Sequence, residues 1–451
     1  MRLLMGLFDR LRSNDDRVVF IGIDGVPYAL IEDHPETFPN LHAIAEAGCG
    51  TSMESIVPPE SSACWPSLTT GTNPGQTGVY GFQDRESDSY ETYIPMGMHV
   101  NGERVWDRVT AEGRDATVLN VPVTFPPVDT IQRMVTGFLS PDIEAASNTD
   151  ELRQTLERLG YRIDVDASLG HDEDKTDFIE DAHATIDARF ETFMHYLEAD
   201  DWDLFFGVFM TTDRVNHFLF GDHVDAGEYA DAFLEFYRKV DDYLGEIRDT
   251  IDEDTTLIIA SDHGFTKLEH EVNCNAYLEE QGWLSYADDD HEDLADISPA
   301  AEAYSLIPGR FYLNLEGREP EGSVPPSAYE DRLEALTADL EALTGPDGRP
   351  VAERIVRGDE VFDGPHTEIA PDLVIIPNDG YDLKSSFETK ESVFTEGPRN
   401  GMHTFDNACL FSTTELETTD VDLYDLAPTI LELLDIEVSA PQFDGRSLVI
   451  E

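Results

Sequence analysis

The sequence predicts an α/β protein, a three-layer sandwich with a mostly parallel central sheet, helices on both faces and an inserted cap. Short apolar runs that end in Asp or Gly are the first sign, because buried parallel strands end this way at their carboxyl edge. The second is their alternation with long stretches of helical spacing, which places helices over both sheet faces. The third is size: 451 residues, 40% of them hydrophobic, can bury a substantial core around one sheet.

In chain order, "RVVFIGIDG" (residues 17–25) reads as the first buried strand, and "FPNLHAIAEAG" (38–48) as a helix stopped by glycine. Further strands of the same kind are expected at 115–121, 203–210, 255–264 and 371–377. The clearest helical patterns lie at 177–200, 226–249 and 422–436. Residues 268–370 break the rhythm with acidic loops, the short strand "GRFYLNL" and one amphipathic helix over 327–344. They fall between two core-like strands and read as an inserted cap. The catalytic core is then 16–267 plus 371–451, with 1–15 an amphipathic or frayed N-terminal segment. Residues 83–104 are polar and loop-like, placed to line the same mouth as the cap.

Charge narrows the function classes. With 29 basic and 94 acidic residues the formal net charge is −65, and lysine occurs at 175, 239, 267, 384 and 390 alone. Self-repulsion of that size opposes compaction in dilute buffer, whereas at 1 M salt the Debye length falls to about 3 Å. An acidic coat spread along the whole chain therefore reads as adaptation to the salt-loaded cytosol of an extreme halophile. A basic patch for nucleic acid is excluded. Cys49, Cys64, Cys274 and Cys409 are scattered without a CxxC pair, which fits free thiols in a reducing, cytoplasmic compartment. The start, "MRLLMGLFDRLRSNDD", lacks the long apolar run and cleavage site of a signal peptide. No run of ~18 apolar residues predicts an integral membrane segment.

In open α/β sheets ligands bind beyond the carboxyl ends of the strands. The residues there are Asp24 after the first strand, Asp213 and His217 in "TTDRVNH", and Asp262 and His263 in "SDHG". His403 follows in a loop, "GPRNGMHTFDNA", before the strand "ACLFS". Alone, an Asp after a strand is commonly a helix N-cap, and a D-x-x-x-H is commonly a solvated helix face. Together they make three carboxylates and three imidazoles at sheet edges. Mixed Asp/His donors suit zinc or manganese better than calcium or magnesium. Six are too many for one catalytic metal with an open position, whereas two metals about 3.5–4 Å apart would use them all.

The ordered set of strand-end Asp, nucleophile with a Thr-Gly turn, D-x-x-x-H, D-H-G and late His resembles the alkaline phosphatase superfamily. The closest resemblance is to its type I phosphodiesterase/nucleotide pyrophosphatase branch and related phosphohydrolases or phosphomutases. The ending "DLYDLAPTILELLDI…FDGRSL" resembles the closing helix and tail of that family. The resemblance implies one metal held by Asp24, Asp262, His263 and the nucleophile, and a second held by Asp213, His217 and His403. It also implies a nucleophile nine residues before the Thr of the Thr-Gly turn. With Thr70-Gly71 as that turn, the position is Ser61, not Ser62 or Cys64. Leu68 stands where the sulfatase pattern C-x-P-S-R would need Arg, so the sulfatase look of "CWPS" is accidental.

A serine hydroxyl needs a metal-stabilised alkoxide to attack phosphorus, and a helix start offers backbone N–H groups to a phosphoryl oxygen. The expectation is a two-metal phosphohydrolase of a phosphodiester or phosphomonoester, acting on a small phosphorylated substrate through a phosphoseryl intermediate. The alternatives are a metal-dependent phosphomutase or a non-catalytic binding protein on the same fold. Where related diesterases place a phosphate-binding Asn, counting lands on Phe82. Arg214, Lys267, Asn73 and Gln83 are the remaining substrate-binding candidates.

Overall fold

The computed structural model describes residues 16–199, 201–390, 392–437 and 442–450. The expected amphipathic or frayed segment 1–15 lies outside them. Seven strands form the main sheet: β1 (Arg17–Ile23), β2 (Cys49–Met53), β3 (Ala116–Val121), β4 (Arg133–Thr136), β5 (Leu204–Phe209), β6 (Thr255–Ala260) and β7 (Ala408–Ser412). Their spatial order is β2–β7–β6–β1–β5–β3–β4. Strands β6, β1, β5, β3 and β4 pair in parallel, whereas β7 runs antiparallel to β6 and β2.

Strand β1 shows why the apolar run is continuous. Its side chains alternate, so Val19, Ile21 and Ile23 enter one core layer while Val18 and Phe20 enter the other. Helices α2 (Thr176–Leu197), α3 (Thr211–Asp225) and α4 (Ala230–Thr250) cover the first face through Phe178, Ile186, Phe218 and Phe236. Helices α1 (Ser61–Thr70) and α5 (Leu426–Leu433) cover the second through Trp65, Leu68 and Ile430. Each such fully buried side chain contributes about 1.5–3 kcal/mol of transfer free energy. This is the three-layer α/β sandwich the sequence predicts. Among the described residues no helix is long and apolar enough to cross a membrane.

The cap departs from its expected limits. The run 371–377 was expected to return to the main sheet, but Leu373–Pro377 pairs with Arg310–Leu313 and Ala352–Arg357 in a separate four-stranded sheet. A three-stranded sheet of Tyr381–Lys384, His270–Asn273 and Phe394–Thr395 adjoins it. The cap core gathers Val272, Tyr304, Leu336, Ile375, Tyr381 and Val393, so the inserted unit runs well past residue 370. Leu373 and Ile375 face that core while Val374 faces a small cluster with Tyr80 and Phe362. Burial on both faces gives the strand the same apolar signature as a main-sheet strand. The 83–104 segment braces the cap: the buried Asp84 carboxylate accepts from Arg310, and Arg85 lies 3.5 Å from Glu319.

Candidate active site

Three adjacent parallel strands, β6–β1–β5, deliver the acidic residues to one place. Asp24 follows β1, Asp262 and His263 follow β6, and α3 starts after β5 with Asp213 and His217 one turn apart. Helix α3 is tied to the β1 edge: Thr212 donates to the Asp24 carbonyl at 2.7 Å and the Asn216 amide to that of Gly25 at 2.7 Å. Gly25 turns the chain with φ +65, and a Cβ there would stand 3.1 Å from the His263 ring. His403 lies in the short strand Gly401–Thr404, not in the expected loop. That strand pairs with Gly264–Lys267 in a register that sets His403 beside Phe265, two residues after His263. The His263 and His403 rings stack with centroids 3.8 Å apart.

Ser61 is the first residue of α1, and the N-cap is Glu60, whose carboxylate accepts from the Ser62 N–H at 3.1 Å. The Ser61 hydroxyl, freed from capping, lies 3.3 Å from Asp24 Oδ1 and 3.2 Å from His263 Nε2. Ser62 Oγ bonds Glu60, and the buried Cys64 thiol lies 3.4 Å from Ser55 Oγ. Burial pushes the Cys64 thiol well above its ordinary range, which keeps it protonated and inert.

The residues form two groups of closely spaced donor atoms. Asp24, Asp262 and His263 make one; Asp213, His403 and His263 meet in the other, so His263 stands between them. His217 Nε2 joins the second group at 3.4 Å from Asp213 and 3.1 Å from His403 Nε2. His263 belongs with the first group by orientation, since its Nε2 faces Ser61, Asp24 and Asp262.

Each histidine turns Nδ1 to a backbone carbonyl: His217 to Gly401, His263 to Gly264 and His403 to Pro59, at 3.0–3.2 Å. That orientation leaves three Nε2 atoms pointing inward, as metal-ligating imidazoles require.

Electrostatics supports the same use. Burial, and then the charges of Asp262 and Asp213, push Asp24 well above the carboxylate range; burial pushes Asp262 up to about 7. Burial lowers His217 to about 3 and holds His263 well below its usual value, so both are neutral. Burial opposes ionisation of Asp213, but the hydrogen bond from His403 and the Arg214 charge outweigh it and hold the carboxylate well below its usual range. Asp262 Oδ2 is buried with no hydrogen-bond partner among the described residues. Burial opposes protonation of His403, but the Asp213 carboxylate outweighs it and raises the His403 pKa. Crowded carboxylates, an orphaned oxygen and the neutral inward imidazoles of His217 and His263 fit divalent cations.

A cavity of about 370 Å³ opens over Ser61, Asp213, His217 and His403, with Glu60 and Arg214 on its wall. Arg214 is fixed by Asp164 at 3.0 Å and Asp213 at 3.2 Å. The other three substrate-binding candidates do not line that cavity. Asn73 caps the helix Pro74–Thr77 and bonds Asp444, Gln83 bonds Thr92, and Lys267 pairs with Asp225 at the surface. Phe82, where an Asn was expected, lines the cavity and stacks on Phe138 at 6.3 Å. Sequence reading missed Lys384 and Arg399, which also line it. It also missed Trp65, whose indole N–H donates to Asp24 Oδ2 at 2.8 Å.

Fold and site together define an α/β protein of the alkaline phosphatase-like class. The model of the type I phosphodiesterase/nucleotide pyrophosphatase family matches residues 18–406, and the chain belongs to that family. No curated protein matches its sequence. Among solved structures, phosphonoacetate hydrolase from Sinorhizobium meliloti 1021, in complex with phosphonoformate, is similar. Its TM-score is 0.61 at 14% identity, over 93% of this chain and 96% of that one. Murine ectonucleotide pyrophosphatase/phosphodiesterase 5 is similar with a TM-score of 0.54 at 12% identity, over 94% and 96% of the two chains.

Proposed function

We propose that the protein is a two-metal phosphohydrolase that cleaves a phosphodiester or phosphomonoester through a phosphoseryl intermediate on Ser61. The observation that carries this reading is the Ser61 hydroxyl. It is released from capping by Glu60, set within 3.3 Å of Asp24 and 3.2 Å of His263, and opens on the cavity. Asp24, Asp262 and His263, with Ser61, would hold one cation, and Asp213, His217 and His403 the other. Zinc suits these donors best and manganese next. When bound, such a pair supplies charge stabilisation at phosphoryl oxygens and activates oxygen nucleophiles.

The chain's own residues supply the rest. Ser61 loses its hydroxyl proton to solvent, and its Oγ bonds to phosphorus as the bond to the leaving oxygen breaks and that oxygen takes up a proton from solvent. Water then bonds to phosphorus with loss of a proton, the Ser61 Oγ–phosphorus bond breaks, and Ser61 Oγ is reprotonated. Arg214 uses three of its N–H donors on Asp164 and Asp213, and a guanidinium has five. The remainder are free for a phosphoryl oxygen of the small phosphorylated substrate.

The test is hydrolysis of a nitrophenyl phosphomonoester and a bis-nitrophenyl diester in molar KCl with Zn²⁺ or Mn²⁺. Ser61→Ala is expected to lower kcat by at least about 10³-fold, as loss of a nucleophile does. Turnover retained in that variant would remove the phosphoseryl mechanism. The faster of the two esters separates monoesterase from diesterase.

A further inference from the structure

We propose that Arg399 receives a second anionic group of the substrate, a carboxylate or a further phosphoryl group remote from the phosphorus that Ser61 attacks. The proposal rests on the hydrolase reading of the cavity and deepens it by naming a substrate class.

Arg399 lines the catalytic cavity, is partly buried, and makes no hydrogen bond or ion pair among the described residues. In a chain with 94 acidic and 29 basic residues, that position is unusual. The other two cations of the cavity already hold ion pairs, Arg214 with Asp164 and Asp213, and Lys384 with Asp382. A half-buried guanidinium loses hydration without gaining a charge-assisted bond, unless a ligand brings the anion.

The cavity has two unlike walls. Its core side presents Ser61, Asp213, His217 and His403, the groups suited to the reacting phosphoryl group and its cations. Its cap side presents Lys384 at the end of the strand Tyr381–Lys384, with Ile375, Pro377 and Leu383 around it. Arg399 follows the last cap strand, Phe394–Thr395, and precedes His403, so it stands where the two walls meet. A phosphoryl group held at Ser61 therefore leaves the rest of the substrate against an apolar surface with cations in it. The guanidinium fork matches a carboxylate or phosphate in two parallel hydrogen bonds.

The test compares 3-phosphonopropionate with its neutral amide, 3-phosphonopropionamide, by calorimetric titration of the zinc-loaded protein in molar KCl. Ethylene-1,2-bisphosphonate forms the second arm. The anionic partner is expected to bind at least about tenfold tighter than the amide, as one charge-assisted hydrogen bond provides. In Arg399→Gln that ratio is expected to fall towards one, with part of it kept in Arg399→Lys. Arg238→Gln, on the exposed side of α4, is the control for loss of a surface charge. A larger gain for the bisphosphonate than for the carboxylate identifies the second group as phosphoryl, and the reverse as carboxylate. A wild-type ratio near one overturns the proposal. So does an unchanged ratio in Arg399→Gln, which would mean that Arg399 grips the reacting phosphoryl group or nothing. Ester turnover without the ratio removes Arg399 and keeps the hydrolase; the ratio without turnover does the opposite.

Discussion

Trp65 fills the second core layer and also holds Asp24, because its ring lies against the one position of β1 that lacks a side chain. A Cβ on Gly22 would stand 2.3 Å from the Trp65 ring, so the glycine lets the indole reach Asp24 Oδ2. Trp65→Phe keeps most of the packing and removes the donor. The expected outcome is about 10–100-fold weaker metal binding, the usual effect of losing a hydrogen bond to a ligand. Competition against a chromophoric chelator reads it, with an unchanged denaturation midpoint as the sign that the fold is intact. At this scale the sequence was legible where a residue's place in the chain sets its role. Asp24, Asp213, Asp262 and His263 follow strands, and strand ends converge. Trp65 was not legible, since its role depends on a carboxylate 41 positions away. Glu60 was missed because capping expectations favour Ser, Thr, Asp and Asn.

Elements were legible where hydrophobic pattern and length agree, as in β1, β5, β6 and the long helices α2 and α4. Pattern does not say which sheet a buried strand joins, and that is why Leu373–Pro377 was assigned to the core when it pairs inside the cap. Nor does it reveal a four-residue strand such as Gly401–Thr404, whose pairing with Gly264–Lys267 brings His403 to the site. The seam between α2 and α4 carries a further consequence. His183 on α2 packs edge-on against Phe236 on α4 at 5.5 Å, and its Nδ1 is buried without a partner among the described residues. Burial, and then the Lys239 charge, lowers its pKa from the ordinary value. The unfolded chain takes up that proton near pH ~6.5, the folded chain only at lower pH. Stability is therefore intact above that range and falls as pH drops through it, until the folded form is protonated too. His183→Gln is expected to lose less stability than wild type between pH 8 and pH 5. Urea midpoints across that range test it, and parallel curves for the two proteins would sink the idea.

For the whole molecule the dominant fact is −65 charges on one chain. Local ion pairs do not offset it: 29 cations face 94 carboxylates, so most acidic groups have other acids as their charged neighbours. Repulsion of this kind is long-ranged at 0.1 M salt, where the Debye length is about 10 Å, and nearly gone at 1 M, where it is about 3 Å. Added salt also weakens attractive surface pairs, but 29 basic residues cap their number and each is worth about 0–1 kcal/mol. The balance favours stabilisation by salt. Urea, being uncharged, is the denaturant that leaves this balance visible. The urea midpoint is expected to rise steeply between 0.1 and about 1 M KCl and then flatten, because screening is nearly complete there. Strengthened apolar burial by salt would instead continue to rise with concentration and would be larger for sulfate than for chloride. A variant with a patch of surface Glu and Asp changed to Gln and Asn separates the two causes. Charge repulsion predicts a smaller salt response in that variant and higher stability at low salt. An unchanged response would assign the effect to solvent exclusion instead of charge.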